Sequence, residues 1–181
     1  MLRRKHVIFL LLAAVILYGC SAPAGDLTDY AAGGFTALIS GRSGEVEFSA
    51  VLTMSPTVGE SDRSFSLSLT SPESLAGMRV EGDFQSVSVY LGDLRLYNGA
   101  IASLPSLKWM IEAFSPSEEP ISVSAVKGSE LQLSEYDTVT VLRFSFGLVF
   151  LDPAGGDPIM IKALPRGEGF YLEFTVDSFT E

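Results

Sequence analysis

The side chains that most often do chemistry are nearly absent from this chain. Of 181 residues, one is histidine and one is cysteine, and both, His6 and Cys20, lie within the first 20 positions. Beyond Cys20 there is no imidazole and no thiol, which excludes Ser-His-Asp and Cys-His nucleophile pairs. Zinc, haem and iron–sulfur sites built on His or Cys go with them, as do intrachain disulfides. Carboxylates remain for acid–base work. Glu45 and Glu47 share one strand face, and Glu118 and Glu119 are adjacent. A glycosidase needs two carboxylates facing across a cleft, whereas these pairs read as solvated charges. Ser124-Ala125-Val126-Lys127 has the Ser-x-x-Lys spacing of an acylated serine site. That motif should open a helix and come with two companions; here it falls in an alternating strand without them. Asp152 to Asp157 lacks the alternating ligands and closing glutamate of a calcium loop, and no glycine loop can cradle a phosphate. No enzymatic activity, metal or cofactor is expected.

The charge balance sets further limits. The chain has 22 acidic and 12 basic residues, a net charge of −10. It offers no basic face for nucleic acid. Three of the cations, Arg3, Arg4 and Lys5, open the sequence, and Val7 to Leu17 follows as an unbroken apolar run of 11 residues. A basic start, a short apolar core and a small residue before a break make a secretory leader. The run is too short for a spanning helix, which needs about 20 residues. The ending Leu17-Tyr18-Gly19-Cys20 resembles the lipobox of bacterial lipoproteins, with Tyr18 a less usual residue in it. That resemblance implies cleavage before Cys20 and acylation of Cys20. The expected organisation is a lipoprotein signal peptide over 1–19, a lipidated N-terminus and tether over 20–25, and a single domain over 26–181. The mature part then carries nine basic against 22 acidic residues, −13, and is repelled from an anionic membrane. The expected location is the extracytoplasmic face of a membrane, held there by lipid.

The elements beyond the tether are mostly strands. Val46, Phe48, Ala50, Leu52 and Met54 alternate with Glu45, Glu47, Ser49, Val51 and Thr53, and the same period runs through Phe65, Leu67 and Leu69, then Val87, Val89 and Leu91, then Ile121, Val123 and Ala125. Leu131 and Leu133 flank Gln132 in the same way. Period two marks a strand with one face buried. Turn signals stand between these runs, for example at 41–44, 59–62, 82–83, 92–93, 128–129 and 152–158. Short gaps predict antiparallel hairpins, and about eleven strands predict one wide curved sheet or partial barrel. Thr138 to Phe150 is more apolar: Val139 and Val141 point one way, and Leu142, Phe144, Phe146 and Leu148 the other. Cover on both faces places it centrally in the sheet.

Helix is expected in three short places. Asp26 to Ala32 has room for two turns before Gly33-Gly34, and Ser71 to Gly77 reads as one turn with Pro72 at its first position. Ser103 to Phe114 is amphipathic, with Leu104, Leu107, Met110, Ile111 and Phe114 on one face and Ser115-Pro116 ending it. Twelve phenylalanines and five methionines either fill a close-packed core or line a site for greasy ligands.

From about Phe35 to Phe179 this layout resembles the LolA/LolB-type lipoprotein-carrier superfamily. The segments that carry the resemblance are Phe35–Ile39 running into 44–54, Phe65–Met78, the 151–162 stretch and 169–176. The N-terminal helix is shorter than in the carriers, and a lipidated Cys20 is closer to the anchored receptor members than to the soluble carrier. The resemblance implies an incomplete antiparallel β-barrel closed by a helical lid. It also implies a non-catalytic envelope protein that holds a lipid, acyl chain or lipoprotein in an apolar cavity. The alternative is a protein-interaction or envelope-sensing module with no lipid ligand. The cavity side chains expected on the lid are Leu104, Leu107, Trp109, Met110, Ile111 and Phe114, and on the sheet Phe48, Phe65, Phe144 and Phe146. Arg143 interrupts an apolar strand, so a headgroup contact, an ion pair and simple edge exposure all stand open for it. The expected partners are the membrane, an acylated ligand and an envelope protein. The lid helix is either hinged over ligand or packed permanently on the sheet.

Overall fold

A computed structural model describes residues 29–43, 45–56, 63–154, 156–163 and 172–180. The expected signal peptide, Cys20 and the expected tether lie outside these residues. Eleven strands form one sheet: β1 (Phe35–Ser43), β2 (Val46–Met54), β3 (Phe65–Ser71), β4 (Met78–Gly82), β5 (Ser86–Leu91), β6 (Leu94–Ala100), β7 (Ser122–Lys127), β8 (Thr138–Arg143), β9 (Gly147–Leu151), β10 (Pro158–Ala163) and β11 (Leu172–Thr180). Their order across the sheet is β6-β5-β4-β3-β2-β1-β11-β10-β9-β8-β7. Two antiparallel meanders are therefore joined where the first strand pairs with the last. Period two explains which face each residue takes: Phe35, Ala37 and Ile39 of β1 are buried, while Thr36 and Leu38 between them are exposed. Gly41 sits where β1 crosses β11, and a Cβ there would come within 2.5 Å of both the Glu173 carbonyl oxygen and the Phe174 Cβ.

The sheet's edges, β6 and β7, are consecutive strands. The chain between them must cross a whole face of the sheet, and it carries the long helix α1 (Pro105–Phe114) as it does so. Helix and sheet share one core, which runs from Val80 and Val87 on one side to Leu142 and Val149 on the other, so the sheet wraps around the helix without closing. The expected incomplete barrel with a helical cover is the observed architecture.

Ser71–Gly77 makes the expected single turn: after a cis Ser71–Pro72 bond, the Leu75 and Ala76 amides donate to the Pro72 carbonyl at i+3 and i+4. Three local expectations are corrected. Only 29–31 of the first expected helix forms a 3₁₀ turn within the described residues. Leu131 to Leu133 is no strand: Gly128–Leu131 is a 3₁₀ turn and Gln132 is left-handed. Gly128 makes this possible, because a Cβ on it would strike the Tyr136 carbonyl oxygen at 1.9 Å. Thr138 to Phe150 is neither one strand nor central, since a turn at 144–146 splits it into β8 and β9 near one edge. Its two-sided cover is real nonetheless. Leu142 and Phe144 join the main core, while Val139 and Val141 pack with Phe150, Ile159, Met160 and Leu133 in a second cluster on the outer face.

The helix is held at its C-terminal end. Ile111 and Phe114 are fully buried. The Phe114 ring stacks on Phe174 at 5.5 Å and tilts against Phe35 at 5.6 Å. Tyr30 donates its hydroxyl proton to the Ala113 carbonyl at 3.1 Å. Arg63 is the buried charged residue of the described core. It donates to the Ser55 carbonyl at 2.8 Å, to the Ser115 hydroxyl at 2.9 Å, and to the carbonyls of Ala31 and Gly33. Its guanidinium also stands over the Phe35 ring, 5.7 Å from the centroid. All its hydrogen-bond partners among the described residues are neutral oxygens, and burial lowers its pKa.

This clamp makes two measurable demands. Arg63→Met leaves the buried Ala31 carbonyl unpaired, at about 1–3 kcal/mol, and removes bonds to the part-buried Gly33 and Ser55 carbonyls, so urea unfolding should show a loss of about 2 kcal/mol or more. Burial raises the pKa of the Tyr30 phenol above its usual value near 10. The stability it contributes is full below pH ~10 and falls as pH rises toward the folded-state pKa, because only the unfolded chain then ionises readily. Tyr30→Phe should cost about 1 kcal/mol at neutral pH and flatten the alkaline loss measured by denaturation at pH 8 to 11.

Candidate functional site

Helix α1 packs unevenly along its length. It starts on Pro105, which has no N–H to satisfy, after a 3₁₀ turn at Ile101–Ser103. Lys108 and Glu112 form an i,i+4 ion pair at 3.2 Å on its outer side. Its C-terminal half packs against aromatic rings, with Ile111, Ala113 and Phe114 buried. Its N-terminal half meets shorter side chains, and there a cavity of about 410 Å³ remains between helix and sheet.

The floor of the cavity is Phe48 of β2, Leu67 and Leu69 of β3, Met78 and Val80 of β4, Val89 of β5 and Leu172 of β11. The roof is Ser103 to Leu107 and Met110. Two serines are the polar side chains in this lining, and no ionisable group belongs to it. Two other depressions, of about 480 and 550 Å³, differ in kind because carboxylates and hydroxyls line them. Pockets of 300–1,000 Å³ with apolar walls are the usual setting for small-molecule binding. This one has no means of moving a proton or holding a metal. What it offers is removal of hydrocarbon from water, worth about 0.8 kcal/mol per methylene.

The structure sorts the expected site residues. Leu104, Leu107, Met110 and Phe48 line the cavity. Ile111, Phe114, Phe65 and Phe144 are buried in the packed core instead. Phe146 is half-buried and stacks on Phe144 at 4.9 Å, and Trp109 packs against the same core. Arg143 is exposed at the end of β8, on the same side as Val139 and Val141, so it faces away from the helix. Leu67, Leu69, Met78, Val80, Val89 and Leu172 were not anticipated as lining. The alternation around Phe65 and Val87 marks their face, but how far the helix reaches over it depends on tertiary packing.

The acidic pairs have structural settings. Glu118 accepts the Ser145 amide at 2.9 Å and so holds the β8–β9 turn, while Glu119 is exposed. Asp152 caps its own hairpin by accepting the Ala154 amide at 2.8 Å. Among the described residues no group of three or more His, Cys, Asp or Glu side chains is placed to hold a metal, and no helix is long and apolar enough to cross a membrane.

No family model matches the chain, and no curated protein matches it significantly. Solved structures do. MucB superposes with a TM-score of 0.50 at 13% identity over 88% of this chain, which spans 59% of MucB. An uncharacterized conserved protein from Thermus thermophilus gives 0.49 at 16% identity, over 86% of this chain and 85% of that one. A putative outer membrane lipoprotein-sorting protein domain from Vibrio parahaemolyticus gives 0.43 at 13% identity, over 84% and 87%. At such identities the likeness is one of fold. That fold, an unclosed antiparallel sheet of eleven strands with a helix across its inner face, is LolA-like.

Proposed function

We propose that this chain is a non-catalytic binding protein of the cell envelope, tethered through a lipid on Cys20, and that it holds an acyl chain or lipid under the N-terminal half of α1. The observation that carries this reading is the cavity of about 410 Å³ walled by Leu, Val, Met and Phe side chains and free of ionisable ones. The lipobox-like Leu17-Tyr18-Gly19-Cys20 supports the tether, and the acidic balance supports a domain that stands off the membrane surface. Membership of the ligand class follows from chemistry alone, because such a lining rewards hydrocarbon and penalises any buried polar group left unpaired. A protein-interaction role without lipid is the second reading, favoured by the exposed apolar residues Ile121 and Val123 at edge strand β7.

Native mass spectrometry with lipid extraction on the purified chain tests the first reading. The expected result is a bound mass that extracts as lipid or fatty acid. Leu107→Glu places a charge in the roof, and Val89→Trp fills the floor. Each should weaken binding of an added long-chain fatty acid by about tenfold or more, given the cost of a buried charge or of lost methylene contacts. A wild-type chain that arrives empty and takes up no fatty acid would sink the lipid reading in favour of the second.

A further inference from the structure

The two sheet edges are not equivalent. Edge strand β6 is interrupted by a register shift against β5 and carries Arg95 near its start, both of which discourage a new strand. Edge strand β7 has no register shift: it pairs with β8 without a break from Ser122↔Arg143 to Lys127↔Thr138. Its one charge, Lys127, is its last residue, and Pro120 stands two residues before its start. Its residues 122–126 are Ser-Val-Ser-Ala-Val, and Val123 is 50% exposed, with Ile121 just before the strand at 66%. An unbulged edge whose middle carries no charge is a site that takes a further strand.

The sequence around this edge is complementary to itself. We infer that β7 pairs antiparallel with β7 of a second copy about a two-fold axis at Val123. In that register Val123 faces Val123 of the second copy and Ile121 faces Ala125. Glu119, just outside the strand and beyond Pro120, then comes to the level of Lys127, twice by symmetry. All these positions fall on one parity, so the apolar pairs are flanked at both ends by opposite charges. Glu119 and Lys127 are both exposed, and neither takes part in a salt bridge among the described residues. Charge complementarity at the ends and apolar matching at the centre thus select the same register. The pairing joins two sheets into one and leaves the cavity free, since its floor comes from β2 to β5 and β11.

Sedimentation velocity of the full-length chain over a dilution series at physiological salt is the test. A reversible dimer is expected. Lys127→Glu turns two ion pairs into two like-charge pairs and should raise the dissociation constant about tenfold, the scale of exposed charge pairs. Glu119→Lys should do the same, and the double swap should restore the dimer. Both residues are exposed, so an unchanged melting temperature will show that the variants fold. Leu96→Lys on β6 should leave association unchanged. A chain that stays monomeric throughout, a dimer indifferent to the β7 charges, or one broken by Leu96→Lys would overturn the inference.

Discussion

One buried guanidinium joins segments that are distant in sequence. Arg63 reaches the carbonyls of Ala31 and Gly33 before β1, the Ser55 carbonyl after β2, and the Ser115 hydroxyl at the end of α1. A buried cation is costly, and this one is tolerated because its nitrogens find oxygen acceptors on several sides among the described residues. Arginine suits the position because its planar fork of five donors can serve several segments at once, where lysine presents a single point charge. The consequence is that the start of the domain, one end of the sheet and the end of the helix are fixed relative to one another.

That fixing explains the uneven helix. Next to Arg63 the rings of Phe35, Phe114, Phe174 and Phe179 pack against each other, and Tyr30 closes on the last turn of α1. Aromatic rings fill the space between helix and sheet at this end. Toward Leu104 the facing residues are Leu67, Val80 and Val89, which are shorter, and the gap they leave is the cavity. The same helix is thus an anchored core element at one end and a roof at the other. Permanent packing on the sheet, one of the two readings of this amphipathic helix, describes its C-terminal half.

Much of the sheet was legible because strand side chains alternate strictly, so one buried face imposes period two on the sequence. The number of strands and their antiparallel hairpins follow from this. The closure of β1 on β11 does not, since no local signal reports contact between the two ends of a domain. Leu131-Gln132-Leu133 misleads because three residues of alternation fit a tight turn as well as a strand. Arg143 stands out by interrupting an apolar run, yet it sits exposed at a strand end, whereas Arg63 hides beside a polar turn and carries the clamp. The cavity was half legible for a related reason. Large aromatics such as Phe65, Phe114 and Phe144 are the conspicuous apolar residues in the sequence, and these fill space. The candidate site lies where mostly aliphatic residues, with Phe48 among them, face each other, which only the packed structure decides.

In the function proposed above, hydrocarbon binds beneath the N-terminal half of α1 and not among the aromatic rings at its other end. Photocrosslinking with a diazirine-bearing fatty acid, followed by peptide mapping, locates the bound chain directly. Adducts are expected on the segments of Leu67–Leu69, Met78–Val80 and Ser103–Leu107. Adducts confined to Phe144–Phe146 or to the outer-face cluster around Leu133, or none above a detergent-competed background, would contradict it.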